Sequence, residues 1–141
     1  PDTTWRAVTI GRGSDGPERS VLGPLEQGRA ASLLADLLAL HRDGLCAALP
    51  LVLKSSHAYA HRRRMRGRTT DDAVEAARNQ WAGRFGPERD DAAHTLVWGA
   101  GTALDVLLAE PARSGDEPSR FGELAMRVWT PLLAAEEVSL P

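Results

Sequence analysis

His57 and His61 stand four residues apart in a stretch that reads as helix, so both imidazoles project from one face, the spacing with which an HExxH helix holds zinc. Ala58 occupies the place of that motif's general-base glutamate, and no carboxylate or cysteine lies nearby in sequence to complete a ligand set. The single Cys46 needs a base beside it to act as a nucleophile. It sits in Leu45-Cys46-Ala47-Ala48-Leu49, where a thiol reads as a small buried apolar residue. Gly11-Arg12-Gly13-Ser14-Asp15-Gly16 spells GxGxxG after a strand candidate, but Pro17 and Gly23-Pro24 follow where the phosphate-binding helix should start, so the motif reads as a turn-rich loop. Arg62, Arg63, Arg64, Arg66 and Arg68 put five guanidinium groups into seven residues. They favour the negative end of a helix dipole and can grip phosphates, so the cluster reads either as a solvated or salt-bridged helix end or as a patch for nucleic acid or a protein partner.

The elements that would carry these residues are mostly helices. Leu33, Leu34, Leu37, Leu38 and His41 share one face of a helix expected to stop at Gly44. Leu49 to Leu53 reads as a buried connector, with Lys54-Ser55-Ser56 capping a second helix from about Ser56 to Met65 that breaks at Gly67. A third helix opens at Thr70 or Asp71, with Asp72 and Glu75 in capping-box spacing and Val74, Ala77, Trp81 and Phe85 on its apolar face, and runs to Gly86-Pro87. Leu96 to Trp98 is a short strand or a buried turn. Thr102 and Asp105 open a short fourth helix that Pro111 ends, and Ala112 to Ser119 is a loop. The last helix begins after Ser119 and keeps its period through Pro131, either kinked there or restarted by a Thr130 cap. Leu37, Leu38, Trp81, Leu124 and Trp129 are the expected core. Trp5 to Ile10 is a strand candidate, with Leu51 to Leu53 and Leu96 to Trp98 as the later segments able to pair with it; Gly11 to Gln27 reads as a mobile loop.

Three segments in order, LLALHRDGLCAALPLVLKSSHAYA, HTLVWG (His94 to Gly99) and FGELAMRVWTPLL (Phe121 to Leu133), resemble the C-terminal domain of the gamma subunit of exodeoxyribonuclease V, the RecC family of RecBCD helicase-nucleases. The resemblance spans nearly the whole chain. It implies an α+β, mainly helical fold, the C-terminal portion of a restriction-endonuclease-like domain with one or two short strands and no nuclease activity. Active members of that fold hold Mg²⁺ with an acidic residue and an (Asp/Glu)-x-Lys pair. The lone lysine here is Lys54, and Val52 stands two residues before it. The resemblance further implies a scaffold or subunit-interaction role in the repair and recombination of broken DNA, without cofactor or metal. The beta and alpha subunits (RecB and RecD) would be its partners, and DNA would be reached through the holoenzyme. A small helical metal-binding or hydrolytic domain using His57, His61 and Cys46 is the alternative.

Composition fits that reading. At 141 residues, 43% hydrophobic and 26% charged, residues 1–141 read as one soluble domain, and the absence of an initiating Met suggests a piece of a longer chain. No apolar run approaches a membrane span, and the start has no basic and apolar leader. One cysteine forms no internal disulfide, in keeping with a cytoplasmic protein. A net charge of -2 gives nucleic acid no global attraction, so a DNA contact would need a local patch.

Overall fold

The computed structural model describes residues 5–12, 16–84 and 86–139. The fold is α+β and mainly helical, with one three-stranded sheet. Its elements are β1 (Ala7–Arg12), β2 (Pro17–Leu22), α1 (Gln27–Cys46), α2 (Leu53–Arg64), α3 (Thr70–Trp81), a 3-10 turn at Glu88–Asp90, α4 (Ala92–Trp98), α5 (Leu104–Leu108), α6 (Arg120–Ala135) and β3 (Glu136–Ser139). The chain divides into two compact units, Pro1–Leu40 with Pro131–Pro141, and His41–Thr130. Among the described residues no helix is long and apolar enough to cross a membrane.

In the first unit β1 and β2 form an antiparallel hairpin from Ala7↔Leu22 to Arg12↔Pro17, and β2 pairs in turn with β3. The partner of β1 is therefore the segment expected to be a mobile loop, and neither later candidate is a strand: Leu51 and Val52 are connector, and Leu96 to Trp98 is helical. Pro-Glu-Arg-Ser hides β2 from a reading based on alternating apolar residues; pairing on both edges overrides its weak propensity. Within the GxGxxG stretch Gly11 and Arg12 are the last residues of β1, and Gly16 directly precedes β2. Gly13, Ser14 and Asp15 lie outside the described residues, and Gly16 has a φ of 142°, a conformation glycine tolerates and other residues rarely adopt.

Helix α1 continues past Gly44 to Cys46. One glycine inside a 20-residue helix costs only about 1 kcal/mol and does not end it. Its expected core face is largely open: Leu34, Leu37 and Leu38 are 59%, 48% and 50% exposed, and Leu40 is the buried residue of the helix. Cys46 is exposed as well, against the expectation of a buried thiol.

The second unit holds the core. Tyr59 and Ala60 of α2, Ala73, Ala77 and Trp81 of α3, Leu104 and Leu107 of α5, and Phe121, Leu124 and Ala125 of α6 are buried. Alanines at Ala60, Ala73 and Ala77 let α2 and α3 pack closely. Trp81 donates its indole N–H to the Thr102 carbonyl at 2.8 Å, which makes a large buried ring affordable. Trp129 is half-buried rather than buried, with its indole N–H on Ser56 Oγ at 2.8 Å. Helix α3 opens at Thr70 as expected, but Thr69 and Asp72 exchange the capping-box hydrogen bonds, three residues before the expected Asp72 and Glu75; the helix ends at Trp81 rather than Gly86-Pro87, and Phe85 lies outside the described residues. Helix α6 runs unbroken through Pro131.

Candidate functional site

The arginine cluster lies at the α2 to α3 turn. Arg62, Arg63 and Arg64 form the last turn of α2 with His61, where the dipole and the free carbonyls favour positive charge. Gly67, at a φ of 74°, reverses the chain and leaves Arg66 and Arg68 exposed beside them. The five do not act alike. Arg63 Nε is held at 3.0 Å by Glu117 Oε1, whose second oxygen accepts the Tyr59 hydroxyl. Burial, and then the neighbouring Glu117 carboxylate, push the Tyr59 phenol well above its usual range. Arg63 is therefore part of the fold, joining α2 to the loop before α6.

Arg62 and Arg68 line an open groove of about 250 Å³ with Asp72, Glu75, Ala76 and Asn79. Arg68 lies 3.7 Å from Asp72 in an i, i+4 pair. Hydrogen bonds from the Thr69 backbone and hydroxyl, with Arg68 and Arg62 nearby, hold the Asp72 carboxyl below its ordinary value. The groove is thus a mixed-charge surface rather than a plain cationic one. Arg64 and Arg66 are exposed and make no ion pair among the described residues. They are the members of the cluster most available to an anionic partner.

The start of α2 carries the only lysine of the sequence, Lys54. Val52 is its N-cap residue, 1% exposed, and supplies no side-chain cap. Glu88, 5% exposed, does that work from the 3-10 turn: its oxygens accept from Lys54 N and Ser55 N, both at 2.7 Å, and from Ser55 Oγ at 2.6 Å. The expected Lys-Ser-Ser cap is replaced by this distant carboxylate, because Ser55 and Ser56 already lie inside the helix. The residue before the intervening position of the Lys54 pair is a core valine, so this pair offers no oxygen to a metal.

His57 and His61 do share a face, with ring centroids 6.0 Å apart, and the edge of His57 meets Trp129 at 5.0 Å. Among the described residues no group of three or more His, Cys, Asp and Glu could hold a metal ion. Sequence reasoning missed Glu88 and Glu117. Both lie in polar stretches beside other acids, Glu88 near Asp90 and Asp91 and Glu117 next to Asp116, and their partners lie 33 and 54 or more residues away, beyond any local pattern. The Arg68 to Asp72 spacing was readable.

The family model described as the RecC C-terminal domain matches residues 5–64. Over 96% of its length the chain is 38% identical to RecBCD enzyme subunit RecC of Mycobacterium tuberculosis, across 145 residues. It is 37% identical, across 141 residues, to the RecC subunit of Mycolicibacterium smegmatis. The chain spans 12% of the length of each of these relatives. No solved structure matches it.

Proposed function

Because the chain belongs to the RecC family, matched by its C-terminal domain model and by RecC subunits along nearly its whole length, we propose that it is a non-catalytic scaffold segment of the gamma subunit of an exodeoxyribonuclease V. The identity of 38% over 96% of the chain is the observation that carries this reading. In it the segment holds a restriction-endonuclease-like fold without catalytic residues, makes contacts to RecB and RecD, and serves the repair and recombination of broken DNA in the cytoplasm. The motors and the nuclease belong to the sister subunits. Val52 in the core and Glu88 committed to the α2 amides support the absence of nuclease chemistry, since neither side chain is free to hold Mg²⁺ beside Lys54.

The arginine turn is the contact surface of this scaffold toward an anionic partner, either DNA phosphates or an acidic face of RecB or RecD. Arg64→Glu with Arg66→Glu tests it in the full subunit without touching the Arg63 to Glu117 bridge. Loss of assembly with RecB and RecD identifies a protein contact, and weaker DNA binding by an intact complex, steeply salt-dependent and sequence-independent, identifies phosphates. Unchanged assembly and unchanged DNA binding would remove this turn from the interface.

A further inference from the structure

Strand β1 is an outer strand of the sheet β1-β2-β3, so only the side of its backbone toward β2 is paired. All six of its residues are exposed. Proteins commonly blunt such an edge with lysine, proline, a bulge or a charge, because a row of free N–H and C=O groups is a template for another strand. Ala-Val-Thr-Ile-Gly-Arg has none of these until Arg12, and its six-residue register with β2 is uninterrupted. The opposite edge is different: β3 begins Glu136-Glu137. Val8 and Ile10 point to the same face and are 45% and 69% exposed, a composition suited to an interior strand.

Among the described residues no further strand pairs with that edge. The three strands all belong to this one sheet, and the remaining bridge, Pro111↔Ser119, is an isolated pair. The RecC relatives, however, are about eight times longer than the stretch the chain covers, since it spans 12% of each. We infer that the outer edge of β1 takes up a strand from another part of the same subunit, an extended segment whose alternate apolar side chains lie beside Val8 and Ile10. Main-chain hydrogen bonds would supply the affinity, and the apolar row would set the register. The inference rests on the same family membership as the proposed function.

Hydrogen exchange read residue by residue across 7–12 in the full-length subunit tests it. The alternate amides of β1 that point away from β2 should exchange at least about tenfold slower than in an unstructured chain. That protection should persist when RecB and RecD are removed and when the subunit is diluted. Exchange at the unprotected rate overturns the inference. Protection lost with the sister subunits, or on dilution, also overturns it, because the occupant would then be a partner or a second copy. Assembly and nuclease activity, measured on the same preparation, report on the proposed function independently of this outcome.

Discussion

Gly122 shows how closely single side chains are fitted around Tyr59. A Cβ at this position would lie 2.7 Å from the Tyr59 hydroxyl oxygen, 3.0 Å from its Cζ and 3.2 Å from Glu117 Oε2. Tyr59 is fully buried and its ring stands edge-on to Phe121 at 5.6 Å, so it has little room to retreat. Gly122→Ala should cost about 1–3 kcal/mol in urea denaturation. Combined with Tyr59→Phe, which removes the closest atom, it should cost less than the sum of the single changes. A fully additive pair would show that the two groups do not meet. Glu123, one residue on, gives a pH-dependent expectation. Burial pushes its carboxyl up, but the Arg113 N–H, the Arg120 guanidinium and the Ser114 hydroxyl hold it at about 2, below its ordinary 4.5. The unfolded chain therefore takes up this proton first. The contribution of Glu123 is complete above about pH 4.5 and is lost as pH falls toward 2. Stability should decline through that window, and Glu123→Gln should flatten the decline; an unaltered pH profile would contradict the assignment.

At the scale of elements, α2 depends on a carboxylate far away in sequence. Glu88→Ala leaves the Lys54 and Ser55 amides without their acceptor and should destabilise the fold by about 2–4 kcal/mol. Glu88→Gln should be intermediate, since its amide oxygen can serve one N–H while its NH₂ faces the other. Thermal or urea unfolding measures both, and a loss below about 0.5 kcal/mol for the alanine variant would mean the cap is not essential. The helices were legible where an apolar period ran for several turns: Val74, Ala77 and Trp81 locate α3, and Phe121, Leu124 and Ala125 locate α6. The strands β2 and β3 were not, because Pro-Glu-Arg-Ser and Glu-Glu-Val-Ser take strand form through pairing, β2 with both β1 and β3 and β3 with β2. The basic cluster was visible as a run of arginines. Its division into a structural Arg63 and exposed Arg64 and Arg66 was not, because Glu117 lies in a loop with no periodic signal. The exposed stripe of α1 marks another boundary of such reasoning: its amphipathic spacing suggested a packed face, yet Leu34, Leu37 and Leu38 are exposed.

At the scale of the whole molecule, the chain corresponds to 12% of a RecC subunit, and its proposed work is mechanical. Glu88 fastens one end of α2 and Glu117 the other, and the arginine turn that follows α2 is the proposed contact surface. Rigidity matters for a scaffold because a contact surface ordered in advance loses less entropy on binding. The most direct test of the non-catalytic account is ATP-dependent degradation of linear duplex DNA, in Mg²⁺, by a complex assembled with RecB and RecD from the full subunit carrying Lys54→Ala. The account predicts a rate equal to that of the unaltered complex, and an assembled complex that has lost its nuclease activity would contradict it.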